Sequence, residues 1–271
     1  MKRSELAALL ADCGAEYPDA EARMCFDALA SSSLPPLPDP DSADAGIADE
    51  ALYAIAEGRK QRKPIQYLLG KAWFYRECYE VSEACLIPRA DTEHLVEYAI
   101  KHLPKNAFFA DLCTGSGCVA ISVLCARPDC KAIAVDLSRD ALAVAKRNAR
   151  SHKVEDRLSF IETDALTYIP QKPFDAILSN PPYIKREVVP TLEKEVLFEP
   201  TMALDGGKDG LDFYRAFCKN SSLYIYKGGF MALEIGFDQK EALEALAKEQ
   251  NLHCSVYKDY GGLDRLAVLK L

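Results

Sequence analysis

The sequence predicts an α/β protein built on a mostly parallel, seven-stranded sheet, preceded by a small helical region and a β-hairpin. Three observations predict it. From residue 106 onward, short apolar runs alternate with stretches of helical period, the pattern of a parallel sheet covered by helices on both faces. A glycine-bearing turn, Cys113-Thr114-Gly115-Ser116-Gly117, leaves the first of those runs. Further on, the apolar run Ala176-Ile177-Leu178 passes into Ser179-Asn180-Pro181-Pro182-Tyr183-Ile184, where two consecutive prolines end it.

In chain order, Leu6, Leu9, Leu10 and Cys13 fall at i, i+3, i+4 and i+7, as do Ala22, Cys25, Phe26 and Leu29, and each set marks the buried stripe of an amphipathic helix. Residues 31–41, with Pro35, Pro36, Pro38 and Pro40, form a loop, and Leu52, Ile55 and Ala56 mark a third helix that ends before Pro64. Between Pro64 and Pro88 the aromatic and β-branched residues Trp73, Phe74, Tyr75, Tyr79 and Val81 surround the polar Arg76-Glu77, which predicts a hairpin. A helix capped by Asp91 or Thr92 follows, with Leu95, Val96, Ala99 and Leu103 facing inward. Strands are expected at 107–112, 132–135, 158–161, 174–179, 230–235, 254–257 and 265–270. The resulting domains are 1–70 (helical, a docking module), 71–87 (hairpin linker) and 88–271 (the α/β domain).

Composition narrows the class. Apolar residues make up 49% and charged residues 27% of the 271, an ordinary globular balance. No apolar run reaches the length of a membrane span, and Met1-Lys2-Arg3-Ser4-Glu5 leads into an amphipathic helix, so a cytoplasmic protein is expected. The 10 cysteines are scattered without a Cys-x-x-Cys pair, and together with only 4 histidines they point to reduced thiols and no metal site. A net charge of −8 argues against affinity derived from nucleic-acid phosphates.

The glycine turn and Asp136 carry one half of the chemistry. A glycine turn after the first strand, followed about 20 residues later by a carboxylate at the tip of the second, is a nucleoside-binding arrangement: the backbone approaches the ligand and the acid accepts from the ribose hydroxyls. Gly115-Ser116-Gly117-Cys118-Val119-Ala120 also satisfies the loose dinucleotide pattern, so an NAD-dependent dehydrogenase competes. That reading gives Asn180-Pro181-Pro182-Tyr183 no role. S-adenosylmethionine needs the same ribose acid without a seat for pyrophosphate.

Asn180 sits at the carboxyl end of its strand, where open α/β sheets bind ligands. Its amide oxygen accepts hydrogen bonds, and each proline removes a backbone donor while keeping a carbonyl, so the loop presents acceptors to a planar NH2 group. Both a glutamine side chain and an exocyclic base amine fit that description, and an N-methyltransferase acting on a nucleic-acid base remains the second reading.

The chain resembles the HemK-type protein-(glutamine-N5) methyltransferases over nearly its whole length. The segments that carry the resemblance include Pro64-Ile65-Gln66-Tyr67, Ile87-Pro88-Arg89-Ala90-Asp91-Thr92-Glu93, Asp111-Leu112-Cys113-Thr114-Gly115-Ser116-Gly117, Asn180-Pro181-Pro182-Tyr183, Phe198-Glu199-Pro200, Asp209-Gly210-Leu211-Asp212-Phe213-Tyr214 and Leu233-Glu234-Ile235-Gly236. The resemblance implies a Rossmann-like class I methyltransferase domain, S-adenosylmethionine as cofactor, and peptide chain release factors as protein substrate, methylated on the glutamine of a Gly-Gly-Gln motif. It implies a monomer, with no direct nucleic-acid or membrane partner. By position, Cys113, Thr114, Gly115, Ser116, Gly117, Asp136, Asp164, Ala165 and Asn180 would hold the cofactor. Asn180, Pro181, Pro182 and Tyr183 would bind the glutamine amide and direct catalysis, with Phe74 and Arg89 beside the pocket. Two residues depart from the family pattern. Cys113 replaces a glycine, which a negative φ would allow, and Ala165 replaces a larger residue beside the adenine.

Overall fold

The computed structural model describes residues 1–29 and 49–271, so the proline-rich loop expected over 31–41 lies outside the described residues. These residues divide into two compact units, Met1–Lys71 with Glu193–Phe198, and Ala72–Leu192 with Glu199–Leu271. No helix among the described residues is long and apolar enough to cross a membrane.

The first unit contains α1 (Arg3–Asp12), α2 (Pro18–Leu29), α3 (Asp49–Lys60) and the short α4 (Ile65–Leu69). Leu6 and Leu10 of α1, Cys25 and Phe26 of α2, Leu52 and Ile55 of α3 and Ile65 of α4 make a core of their own. The expected stripes are narrower than the periodicity suggests: Leu29 is exposed, and Cys13 lies one residue beyond α1, where its thiol contacts the Ala56 carbonyl at 3.4 Å. The α4 turn replaces part of the expected β-rich stretch. It opens after Pro64, whose missing N–H costs nothing at a helix start, and stops at Gly70 with φ +67°. The almost fully buried Arg59 binds Glu21 in a two-point contact, Nε to Oε2 at 2.8 Å and Nη2 to Oε1 at 3.0 Å. A buried guanidinium requires this kind of paired carboxylate.

The second unit holds the hairpin β1 (Lys71–Phe74, all but its first residue) and β2 (Glu77–Glu80), then α5 (Glu93–His102), β3 (Phe108–Leu112), α6 (Cys118–Ala126), β4 (Lys131–Asp136), α7 (Arg139–Ser151), β5 (Leu158–Glu162) and β6 (Phe174–Ser179). After a long loop come α8 (Asp212–Lys219), α9 (Ser221–Tyr224), β7 (Ile225–Glu234), α10 (Lys240–Glu249), β8 (His253–Lys258) and β9 (Asp264–Lys270). The seven-stranded sheet runs β5-β4-β3-β6-β7-β9-β8. The first five strands in that order pair in parallel, and β9 runs antiparallel to both β7 and β8. Every strand expected from the sequence is present.

Alternation along the buried strands sends side chains to opposite faces. Phe109 and Leu178 join Leu95, Val96, Val119 and Val123 in one core, while Ala110, Leu112 and Ile177 join Tyr214, Phe217 and Leu243 in the other. The chain travels from β3 outward to β5, then crosses back to β6 on the opposite side of β3. Such a reversal opens a crevice at the strands' carboxyl ends, between helices that diverge to the two faces.

The hairpin is tied to this crevice by buried polar contacts. Tyr79 hydrogen-bonds Ser122 at 2.6 Å and stacks on His152 at 4.8 Å. Asn148 of α7, almost fully buried, accepts from the Glu80 N–H at 2.7 Å and donates to the Glu80 and Ser116 carbonyls, each at 2.9 Å. One side chain therefore joins hairpin, helix and glycine turn. Asn148→Ala leaves three backbone groups without partners, at about 1–3 kcal/mol for each that stays buried. We predict a loss of stability of about 2–4 kcal/mol, read as a clear fall in thermal midpoint; an unchanged midpoint would mean that the clasp contributes nothing.

Candidate active site

The crevice is a cleft enclosing about 950 Å³, its open mouth included. Of the residues singled out from the sequence, Cys113, Thr114, Gly115, Ser116, Asp136, Asp164, Ala165, Asn180 and Pro182 line it. Gly117, Pro181, Tyr183, Phe74 and Arg89 lie outside that lining. Phe74 is a core side chain, edge-on to Tyr79 at 6.1 Å. Arg89 forms an ion pair with Glu199, whose other oxygen accepts from the Ile87 N–H at 3.0 Å. Their neighbours Pro88 and Pro200 do reach the cleft.

The turn after β3 is held in a demanding conformation. Cys113, Gly115 and Gly117 have φ of +61°, +55° and +82°. The condition under which a cysteine would be easily tolerated at 113, a negative φ, is not met: the cysteine occupies the left-handed region that glycine visits freely, at a cost on the order of 1–3 kcal/mol. Two carboxylates hold the turn in place. Asp111 accepts from the Thr114 hydroxyl at 2.6 Å and the Ala120 N–H at 3.2 Å. Asp136 accepts from the Gly115 N–H and the Ser138 N–H, both at 2.8 Å. Each Asp136 oxygen uses one lone pair in this way and keeps another for a hydroxyl in the cleft. Burial raises the Asp136 carboxyl above its ordinary range.

β6 delivers Asn180, and the loop that follows is braced from outside. The Ser179 hydroxyl donates to the Leu112 carbonyl at 2.6 Å, which fixes the end of β6 against β3. Ile184 N–H donates to the Leu204 carbonyl at 3.0 Å, and Gly206 N–H returns a bond to the Ile184 carbonyl at 2.8 Å. Gln239 donates to the carbonyls of Tyr183 and Gly210 at 2.9 and 3.1 Å. Gly206 must be glycine, because a Cβ there would sit 2.7 Å from the Pro182 oxygen.

Asn180 itself donates its Nδ2 to the Thr92 hydroxyl at 3.1 Å. That hydroxyl donates in turn to Glu234 Oε2 at 2.6 Å, and the Tyr183 hydroxyl reaches Glu234 Oε1 at 3.3 Å. Thr92 is therefore not the side-chain helix cap expected from the sequence: it precedes α5 but makes no capping bond. Asp91, the other candidate cap, pairs with Arg265 at 3.2 Å. Glu234 is almost fully buried; desolvation pushes its carboxyl up to about 7, against the pull of the Thr92 hydroxyl and Arg265. Thr92 and Glu234 are functional candidates that single-residue reasoning missed. The available signal was a charged residue ending the otherwise apolar run Phe230-Met231-Ala232-Leu233.

Sheet order, reversal and cleft together define a class I methyltransferase fold. A family model described as "Methyltransferase small domain" matches residues 92–207. A solved methyltransferase from Pyrococcus furiosus shares the fold at a TM-score of 0.54 and 17% identity, covering 70% of this chain and 86% of that one. The release factor glutamine methyltransferase of Caulobacter vibrioides is 36% identical over 241 residues, 88% of this chain and 83% of the relative. That of Moorella thermoacetica is 36% identical over 261 residues, 94% of this chain and 92% of the relative. The chain belongs to the release factor glutamine methyltransferase family.

Asp111 makes a pH prediction. Burial raises its folded carboxyl to about 7, whereas an unfolded aspartate titrates near about 3.9. Between those values the folded protein holds more protons than the unfolded chain, so this stabilisation is complete below about 4 and is lost as pH rises through about 7. Asp111→Asn, which keeps an acceptor for Thr114 and Ala120, is expected to flatten the fall in denaturant-measured stability between about pH 5 and 8, leaving the shares due to the other raised carboxyls, Glu234 and Asp136. An unaltered slope would place the Asp111 titration elsewhere.

Proposed function

We propose that this protein transfers a methyl group from S-adenosylmethionine to the side-chain amide nitrogen (N5) of the glutamine in the Gly-Gly-Gln motif of bacterial peptide chain release factors, tuning translation termination. The observation that carries this reading is the orientation of Asn180. One hydrogen of its NH2 goes to Thr92, which draws Nδ2 to that side, and in this reading Oδ1 accepts from a ligand in the cleft that Asn180 lines. The relatives named release factor glutamine methyltransferase support the choice of substrate.

The cleft's donor set suits this cofactor. Asp136 keeps acceptor capacity for a ribose, and its immediate backbone donors are already used. Ala165, Leu86 and Leu137 offer apolar walls, with Asp164 beside them, and Thr114 to Ser116 present their turn to the same space. Bound there, S-adenosylmethionine supplies an electrophilic methyl on a sulfonium. Asn180 Oδ1, and the carbonyl of Pro181 between the two lining residues Asn180 and Pro182, accept the two amide hydrogens of the glutamine once it enters the cleft, which aims the nitrogen and raises its electron density. Pro182 and Tyr183 hold that pair of acceptors in place. As the new N–C bond forms the methyl–sulfonium bond would break, leaving S-adenosylhomocysteine, and the nitrogen, strongly acidic once methylated, sheds one of its two hydrogens as a proton to water. Positioning of this kind supplies up to roughly 7–11 kcal/mol of the barrier reduction, and no general base is required.

The first unit, with its own hydrophobic core, serves as the docking module for the release factor. The enzyme acts as a cytoplasmic monomer, and its net charge of −8 disfavours nucleic-acid substrates.

Mass spectrometry of a purified bacterial release factor after incubation with enzyme and S-adenosylmethionine is expected to find one added methyl on the Gly-Gly-Gln glutamine, and none after Gln→Ala in that motif. Ribosomal RNA and DNA treated identically should stay unmodified. Methyl groups on nucleic acid with none on the release factor would contradict the reading.

A further inference from the structure

We infer that Thr92 and Glu234 are positioning residues for the methyl transfer: the buried Glu234 carboxylate fixes the direction of the Thr92 hydroxyl, and that hydroxyl fixes which end of the Asn180 amide faces the cleft. The inference rests on the reading of Asn180 as acceptor for the glutamine amide. It extends that reading from the residue that meets substrate to two that hold it correctly.

The argument is one of hydrogen-bond direction. The outer torsion of an asparagine side chain is broad and roughly two-fold, so the loop backbone alone does not decide whether Oδ1 or Nδ2 points into the cleft. The two orientations have opposite chemistry. Oδ1 accepts from a substrate NH2, whereas Nδ2 presents donors to the same group and repels it. An ionised carboxylate only accepts. Glu234 Oε2, 2.6 Å from Thr92 Oγ1, therefore takes the single hydroxyl hydrogen. Thr92 is left with lone pairs, and at 3.1 Å from Asn180 it can hold only the NH2 end. Oδ1 is then turned the other way, towards the cleft that Asn180 and Thr92 both line.

The surroundings keep this chain in one arrangement. Thr92 and Glu234 are each almost fully buried, which shields the bond between them from water. Charged and titratable groups face Glu234 from every side: Arg265 from β9, Asp91 from the turn before α5, Tyr183 from the Asn180 loop and Tyr214 from α8. The Tyr214 hydroxyl donates to the Glu234 backbone carbonyl at 2.8 Å, and Arg265 is held by Asp91 at 3.2 Å and Asp259 at 3.3 Å. Protonated Glu234 becomes a donor and no longer dictates the direction of Thr92. The acceptor face of Asn180 is thus secured above the Glu234 titration and weakened below it, around about 7.

The test compares Thr92→Val, Thr92→Ser and Glu234→Gln with the parent, using a release factor as substrate. Thr92→Val keeps the shape and removes the hydroxyl. It should lower kcat by at least about tenfold, while S-adenosylhomocysteine affinity by calorimetry and KM for the release factor stay within about threefold, as for an interaction realised in the transition state. Thr92→Ser restores the hydroxyl and should recover most of kcat. The parent's kcat should rise as pH passes about 7, and Glu234→Gln, uncharged at every pH, should be slow and should lack that rise; a parent without it would count against the inference. A Thr92→Val enzyme with parental kcat, a Thr92→Ser enzyme as slow as Thr92→Val, or a Glu234→Gln enzyme that keeps the rise would each overturn the inference. A parent that leaves the release factor unlabelled would instead remove the reading of the site, and the inference with it.

Discussion

Two consecutive prolines after Asn180 set the constraint on which the site depends. Residues 181 and 182 have no N–H to donate, so the loop leaving β6 cannot secure itself with backbone bonds of its own. Its acceptors stay free for a ligand for the same reason. The structure resolves the conflict by bracing the loop from outside: the 204–206 segment pairs with Ile184, Gln239 bridges Tyr183 and Gly210, and Thr92 holds Asn180. Rigidity comes from elements far away in sequence, and the loop spends none of its own carbonyls at 181 and 182 to obtain it.

The cofactor side of the cleft uses the opposite device. Its turn is rich in donors and is pinned by buried carboxylates, Asp111 beneath and Asp136 beside it. Both carboxyls are raised by desolvation, so the turn's anchors are bought with electrostatic cost. Backbone strain at Cys113 adds to that cost. The surrounding sheet offsets it with two fully buried cores, one on each face. Strain concentrated at a ligand-facing turn, and tolerated because the scaffold over-determines it, is consistent with a site prepared before the ligand arrives.

Much of this was legible in the sequence because it is local. Apolar runs mark the strands, glycine spacing marks the turn, and the residue ending a strand marks the cleft edge, which placed Asn180 and Asp136 on the lining. What stayed hidden depends on distant partners. Thr92 looks like a helix cap until Glu234, 142 residues away, claims its hydrogen. Asn148, which no sequence pattern singles out, gains its role only when Glu80, 68 residues away, is placed against it. Phe74 reads as a pocket aromatic from its motif, yet core packing with Tyr79 takes it out of the lining. The sign of φ at Cys113 is likewise set by the geometry of the whole turn, and no property of cysteine predicts it.

The central claim is that the site presents acceptors to the glutamine nitrogen. A crystal structure of the protein with S-adenosylhomocysteine and a Gly-Gly-Gln peptide tests it most directly. The account predicts the glutamine nitrogen within about 2.7–3.2 Å of both Asn180 Oδ1 and the Pro181 carbonyl, with Asn180 Nδ2 still on Thr92. A complex in which the glutamine's carbonyl oxygen meets Asn180 Nδ2, with the Thr92 bond broken, would contradict it.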